Sequence, residues 1–247
     1  MTEIQCSTDE EISVRCYEFL RQVWPHSPRT ADTDKGFERT FRRWIARKIS
    51  FEALSEPHNL GLGLSYASLS GTDHELDVVG RVAGQLYIFE LKNYPGSAMQ
   101  KDWVFVFFHK VFDYYIKNIH ILHEYPVNLV FLTTSEPDAA SRQVCFTWGI
   151  NLITPGIIPP PVLQYYFRRL AESSTAEGNK VETLYQQCVE LNLSVIFPLS
   201  RVLSISPDGR IMIQRAFIDK AVKRLVEQHT KLDGLVRQLT SIKSHVK

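Results

Sequence analysis

Two β-like runs separated by two small residues are the feature that most constrains how this chain folds. Residues 75–82 read ELDVVGRV, residues 85–94 read QLYIFELKNY, and Ala83 and Gly84 lie between them. A two-residue connection that contains glycine favours a tight antiparallel turn. The segment is therefore predicted to form a β-hairpin with its turn at these two residues.

The predicted pairing brings charged residues together on one face of the hairpin. Counting outward from the turn, Asp77 lies opposite Glu90, and Glu75 lies opposite Lys92. Opposed residues share a face with their Cβ atoms about 4.5–5.5 Å apart, and Glu90 and Lys92 share that face because alternate strand residues do. Two carboxylates so close repel each other unless a proton or a cation lies between them.

A divalent metal ion would relieve this repulsion. Oxygen ligands suit Mg²⁺ or Mn²⁺, and Mg²⁺ commonly takes one or two protein carboxylates while it keeps waters and phosphate oxygens in its shell. Lys92, two residues beyond Glu90, is then placed to hold a water or to offset charge that builds on a phosphate. The plain alternative is that Glu90 and Lys92 are solvated residues at a strand end.

The helix predicted upstream of the hairpin has a strongly basic exposed side. From Asp34 to Ser50, apolar residues recur at helical intervals. The basic residues of this helix are Arg39, Arg42, Arg43, Arg47 and Lys48. Such a face is usually only solvated, but beside a metal site it can contact phosphates, for which Arg39, Arg42 and Arg43 are the candidates. Glu38 either joins the site or pairs with Arg42 four residues on.

The order of the other elements predicts an α/β fold. A long, aromatic-rich helix over about residues 99–125 precedes a buried-strand candidate at 127–134. A further helix at 137–149 precedes a short strand at 150–154. Together with the hairpin, this order predicts a mixed sheet flanked by helices.

The chain divides into three predicted regions. Residues 1–33, in which prolines follow a short helix, are predicted to form an N-terminal arm. Residues 34–160 form the α/β domain, and residues 161–247 form a mainly helical C-terminal region with a hairpin turned at Pro207-Asp208-Gly209. From about Ala216 to Val246, apolar residues alternate spacings of four and three, which is typical of a coiled coil. This helix either joins two copies into a homodimer or packs on its own domain.

Composition limits the partners and the compartment. Lys and Arg number 28 against 27 Asp and Glu, so a nucleic-acid partner would have to meet a local basic surface. The four cysteines form no C-x-x-C pair, which predicts neither a zinc site nor a disulfide framework. No basic leader precedes an apolar run, and no stretch approaches the roughly 20 apolar residues that span a bilayer. We therefore expect a cytoplasmic protein without a membrane partner.

The ELD sequence, followed by a hairpin and E-x-K, resembles the PD-(D/E)XK nuclease superfamily, also called restriction endonuclease-like. The resemblance covers about residues 34–155, roughly half of the chain. It implies a restriction endonuclease-like mixed sheet, with Asp77 and Glu90 as ligands of Mg²⁺ or Mn²⁺ and Lys92 as the catalytic lysine. It also implies that the backbone carbonyl of Leu91 is a further metal ligand.

Other positions can be compared with the same superfamily. Leu76 stands where the motif's name has proline, and Glu38 matches the place where many members carry an additional acidic residue. The helix after E-x-K carries Lys110 and Tyr114 one turn apart, where RecB-type members show Q-x-x-x-Y, so lysine replaces glutamine here. Lys110 and Tyr114 are therefore candidate phosphate contacts.

Two functions from different classes follow from these observations. The first is a Mg²⁺- or Mn²⁺-dependent endodeoxyribonuclease, a hydrolase that cleaves DNA phosphodiester bonds with Asp77, Glu90 and Lys92 and with Glu38 as a further acidic residue. The second is a catalytically silent binding or scaffold module of the same fold. It would act through a protein partner that engages residues 161–247.

Overall fold

The computed structural model of the chain describes residues 8–26, 33–52, 64–68, 71–122, 125–156, 203–205 and 211–213, together with Val162 and Tyr165. Among these residues the helices are α1 (Thr8–Glu18), α2 (Thr33–Lys48), α3 (Lys101–Lys117), α4 (Ile119–Leu122) and α5 (Ala139–Thr147). A π-helical segment, Phe19–Val23, and a 3-10 turn, Trp24–His26, continue α1. The strands are β1 (Leu64–Ala67), β2 (Asp73–Leu76), β3 (Val78–Val82), β4 (Gln85–Lys92), β5 (Ala98–Met99), β6 (Val127–Thr133), β7 (Glu136–Pro137), β8 (Ile150–Ile153), β9 (Leu203–Ile205) and β10 (Ile211–Ile213).

A mixed four-stranded sheet flanked by helices forms the centre of the fold. Its strand order is β3-β4-β6-β8, in which β3 runs antiparallel to β4 and the other neighbours are parallel. All seven residues of β6 are buried, as expected for a parallel strand covered on both faces. The predicted α/β class, with a mixed sheet between helices, is confirmed.

The predicted hairpin and its register are also confirmed. Val78 pairs with Phe89 and Val82 pairs with Gln85, so the turn falls at Ala83 and Gly84. Both turn residues have positive φ, 49° and 72°. Two central residues with positive φ define the type I′ turn, whose twist matches that of the flanking strands.

The two faces of β4 pack against different helices. Alternate strand residues point to opposite faces. Leu86 and Ile88 belong to a buried cluster with residues of α3, whereas Tyr87 and Phe89 belong to a second cluster with residues of α1 and α2. Glu90 continues the first series, so its side chain lies on the face that α3 covers.

The N-terminal helix belongs to the core, where the sequence predicted an arm over residues 1–33. Ile12, Cys16 and Phe19 are at most 1% exposed. The Phe19 ring centroid lies 5.5 Å from that of Phe37 and 5.1 Å from that of Phe41, both on α2. The short helix was predicted, but the prolines after it do not separate it from the domain, because its apolar side completes the second cluster.

The segment before the hairpin differs from its prediction. ELDVVGRV was expected to be one strand, but the chain bends at Asp77, and β2 pairs with β1 instead of β4. Glu75 therefore pairs in register with Ser65, and its carboxylate lies 3.6 Å from Arg42 rather than opposite Lys92.

Few of the C-terminal residues are described. Strands β9 and β10 pair antiparallel, which confirms the hairpin predicted there, although its turn at 207–209 lies outside the described residues. The predicted coiled-coil helix, from about 216 to 246, also lies outside them. None of the described helices is both long and apolar enough to cross a membrane.

Candidate active site

Two buried carboxylates and a lysine meet at the end of β4. Glu90 is 1% exposed and Asp77 is 5% exposed. Asp77 occupies the bend between β2 and β3, just beyond the last pair of the hairpin, and its Oδ2 accepts a hydrogen bond of 2.6 Å from the backbone N–H of Leu91. The bend thus replaces one ladder pair with a side-chain contact, and Asp77 remains beside Glu90.

Two lysines from different elements neutralise Glu90. Lys92 Nζ, on the same strand, lies 2.8 Å from Glu90 Oε1. Lys110 Nζ, on α3, lies 3.1 Å from Oε1 and 3.2 Å from Oε2. Both lysine side chains are mostly buried, at 21% and 18% exposed, so their charges attract Glu90 more strongly than they would in water.

Burial controls the protonation of Asp77. Burial first, and then the negative charge of Glu90, raise the pKa of Asp77 to about 8 from an ordinary value of 3.8. The Lys92 ammonium and the Leu91 N–H act in the opposite direction but do not restore the ordinary pKa. Asp77 therefore holds a proton at neutral pH unless another cation takes the place of that proton.

Lys92 stays positively charged. Burial alone would lower the pKa of Lys92, but the carboxylates of Glu90 and Asp77 outweigh burial and raise it above its ordinary value. A lysine held in this state can donate hydrogen bonds and offset negative charge, but it cannot accept a proton at neutral pH. The environment therefore fits an electrostatic role rather than that of a general base.

Glu38 lies near this cluster without joining it. Its Oε2 lies 3.3 Å from Arg42, which is the pairing along the helix that the sequence offered as the alternative to a catalytic role. Burial raises the pKa of Glu38 while Arg42 lowers it, and its charge also acts on Asp77. In the described part of the chain, no three Asp, Glu, His or Cys side chains converge to hold one ion.

The candidate phosphate contacts fall into three groups. Arg39 and Arg43 are exposed on α2, whereas Arg42 is engaged by Glu38 and Glu75. Lys110 reaches the site but contacts Glu90. Tyr114 is 2% exposed, with its ring centroid 5.2 Å from that of Tyr66, so it packs in the hydrophobic core.

The donor set fits a hard divalent cation. Asp77 and Glu90 offer carboxylate oxygens, and burial together with the charge of Glu90 raises the pKa of Asp77 enough for it to retain a proton at neutral pH. The Leu91 N–H points to Asp77, and because the N–H and C=O of one strand residue point to the same edge, its carbonyl faces that side as well. Oxygen donors and two carboxylates suit Mg²⁺ or Mn²⁺.

One positioning residue was missed by the sequence analysis. Asp34, in the first turn of α2, accepts hydrogen bonds from the Asn93 backbone N–H at 3.0 Å and from the Tyr94 hydroxyl at 2.8 Å. Trp24 Nε1 donates to Asn93 Oδ1 at 3.1 Å. These bonds fix the start of α2 and the 3-10 turn that follows α1 against the chain just beyond Lys92. Only the position of Asp34 near a helix start hinted at such a role.

Comparisons with known proteins add little. No protein-family model matches the chain, and no curated protein matches it significantly. Among solved structures, the chain is similar to a crystal structure described as Protein of Unknown Function AF1548, with 14% identity and a TM-score of 0.36. The alignment covers 80% of this chain and 97% of the other. This likeness carries no argument about activity, so function is inferred from the residues of this chain.

Proposed function

We propose that the protein is a divalent-metal-dependent nuclease that hydrolyses DNA phosphodiester bonds. The observation that carries the proposal is the buried pair of Asp77 and Glu90 with Lys92 beside them at the end of β4. A fold would gain nothing in stability from a buried Asp77 whose pKa is raised by burial and by the adjacent Glu90 carboxylate. Groups perturbed by burial and by a specific neighbour are typical of functional sites.

Each residue has a distinct role in this proposal. Asp77 and Glu90 hold Mg²⁺ or Mn²⁺, with the Leu91 carbonyl as a further ligand. When bound, the ion supplies positive charge beside the scissile phosphate and activates water for attack. Lys92 donates hydrogen bonds to the attacking water or to a phosphate oxygen and offsets the charge that develops there. The charge of Glu38 raises the pKa of Asp77, and the ion pair of Glu38 with Arg42 reduces this effect.

The nucleic-acid substrate is supported by the basic side of α2. Arg39 and Arg43 lie one helical turn apart and both are exposed. Contacts from such residues to phosphates fix the orientation of a nucleic acid without reading its sequence. We propose DNA as the substrate because the resemblance to the PD-(D/E)XK superfamily implies it.

We also propose a compartment and an oligomeric state for the protein. Cys16 and Cys145 are buried free thiols, which suits a reducing compartment such as the cytoplasm. A homodimer formed through the predicted C-terminal helix would bring two sites to the two strands of a duplex.

Cleavage assays test the proposal directly. Circular and linear duplex DNA, single-stranded DNA and RNA are each incubated with the protein in Mg²⁺, in Mn²⁺ and in EDTA. Lys92→Met and Asp77→Ala are tested beside Lys101→Met, which removes an exposed lysine at the start of α3. We expect metal-dependent cleavage of DNA that is lost in the first two variants and kept in the third. Cleavage that persists in Lys92→Met and Asp77→Ala would place the activity elsewhere.

One observation favours a second candidate, a catalytically silent binding module. Lys92 and Lys110 already neutralise Glu90 without a metal ion. In that case the cluster would be structural, and a protein partner would engage residues 161–247. This candidate predicts no cleavage in any metal and no rise in melting temperature with Mn²⁺, since a ligand that binds only the folded state must raise it.

A further inference from the structure

Lys110 contacts both carboxylate oxygens of Glu90 from a separate helix, and the nuclease chemistry gives this contact no role. We propose that Lys110 is a displaceable counter-cation, which occupies Glu90 until a divalent ion and a nucleic-acid phosphate bind together. Metal and nucleic acid would then bind cooperatively, each strengthening the other. This inference rests on the proposed nuclease function and adds a mechanism for coupling its two ligands.

The free protein requires a compensating charge at Glu90. A carboxylate that is 1% exposed loses most of its hydration, and an isolated buried charge is very unfavourable. Lys92 lies on the same strand, with Nζ 2.8 Å from Oε1, and Lys110 on α3 is within 3.2 Å of both oxygens. Lys110 therefore supplies Glu90 with a second positive charge, from an element other than β4.

The same contact opposes metal binding. An ion that coordinates Glu90 must bind a carboxylate oxygen that the Lys110 ammonium now contacts. The ion and the ammonium would then both lie next to the same carboxylate, where their positive charges repel each other. A charge within about 4–6 Å changes the proton affinity of a carboxylate by about 10-fold to 1000-fold. The affinity of Glu90 for a divalent ion responds to the same field, so Lys110 weakens it by at least about tenfold.

A phosphate offers the displaced ammonium a new partner. Lysine carries its charge on a flexible four-carbon stem, and the Lys110 side chain is 18% exposed. Its backbone is held in place, because the Lys110 carbonyl accepts a hydrogen bond from the Tyr66 hydroxyl. The ammonium can thus leave Glu90 for a phosphate oxygen without any movement of α3. Coupling of this kind is reciprocal, so nucleic acid raises metal affinity by the factor by which metal raises nucleic-acid affinity.

Direct measurement of Mn²⁺ binding tests the inference without relying on cleavage. The signal of free Mn²⁺ in electron paramagnetic resonance gives the dissociation constant, with and without a short phosphorothioate DNA duplex that resists hydrolysis. The proteins compared are wild type, Lys110→Gln, Lys110→Met and the control Lys101→Gln. Circular dichroism melting in EDTA establishes that each variant is folded, and Lys110→Met keeps the aliphatic stem if glutamine disturbs packing.

We expect the Lys110 variants to gain affinity for Mn²⁺, which a loss of side-chain packing would not produce. Both Lys110 variants should bind Mn²⁺ at least about tenfold more tightly than wild type without DNA. The duplex should strengthen Mn²⁺ binding by wild type and Lys101→Gln about tenfold, and by the Lys110 variants much less.

Two results would overturn the inference, and they are distinguishable. Equal Mn²⁺ affinity in wild type and both Lys110 variants, with binding abolished by Asp77→Ala, would remove the role of Lys110 and leave the metal site standing. Failure of every protein to bind Mn²⁺, with or without the duplex, would remove the proposed nuclease function together with the inference.

Discussion

Replacing Asp77 by asparagine should stabilise the metal-free protein while it abolishes metal-dependent cleavage. An asparagine side-chain oxygen can still accept the hydrogen bond that Leu91 N–H now donates to Asp77 Oδ2. The substitution removes only the ionisable group that faces Glu90. Stability and activity should therefore change in opposite directions at this one position.

The size of the stabilisation follows from the pKa of Asp77. Because its folded-state pKa of about 8 lies above the ordinary 3.8, the folded protein binds this proton more tightly than the unfolded chain does. The stability that this proton contributes is complete below about pH 4 and is lost as pH rises toward about 8. Each pH unit in this window costs about 1.4 kcal/mol. The asparagine variant carries no such cost, so its free energy of unfolding exceeds that of wild type by at most about 4 kcal/mol at pH 7.

Urea denaturation in EDTA at pH 5 and pH 7 measures this advantage. The free energy of unfolding of Asp77→Asn should exceed that of wild type at both values, and the gap should be larger at pH 7. Asp77→Ala is the matched control: it also removes the charge but leaves the Leu91 N–H without its acceptor, which costs about 1–3 kcal/mol. If Asp77→Asn is no more stable than wild type at pH 7, folding does not raise the pKa of Asp77.

Three further outcomes are expected. Gly80→Ala should lower the free energy of unfolding by about 1–3 kcal/mol in urea titrations, because the new Cβ would lie 2.3 Å from Cδ1 of Phe51. An unchanged midpoint would mean that the Phe51 ring moves aside at no cost. Ala83→Asn should raise the melting temperature slightly, because Asn-Gly is the preferred type I′ pair at a turn where alanine holds a φ of 49°. Arg39→Ser and Arg43→Ser should each reduce the slope of log DNA affinity against log salt concentration by about 1 in anisotropy titrations. An unchanged slope would exclude the replaced side chain as a phosphate contact.

The parts of the fold that sequence predicted well are those decided by local chemistry. The hairpin register followed from the placement of a two-residue turn at Ala83 and Gly84, because each later pair is then fixed. The buried strand β6 followed from the apolar residues 129–132 at its centre. In both cases neighbouring residues carry the information, so no tertiary contact was needed.

Predictions that depended on tertiary contacts were less complete. Asp77 was expected to face Glu90 across a ladder, but the pairing of β2 with β1 bends the chain there, and the contact forms through Leu91 N–H. Nothing in the spacing of Lys110 indicated that α3 would bring its ammonium to Glu90. The N-terminal helix was assigned to an arm because prolines follow it, yet Phe19 packs between aromatic rings of α2.

The most direct test of the catalytic role of this site is the rate of DNA cleavage by wild type and Lys92→Met at saturating Mn²⁺, with Mn²⁺ binding measured on the same samples. Lys110 still pairs with Glu90 in the variant, so we expect it to remain folded. We expect Lys92→Met to bind Mn²⁺ but to cleave at least about 100-fold more slowly, because it lacks a group that stabilises developing charge. Equal cleavage rates for the two proteins would contradict the assignment of this site as the catalytic centre.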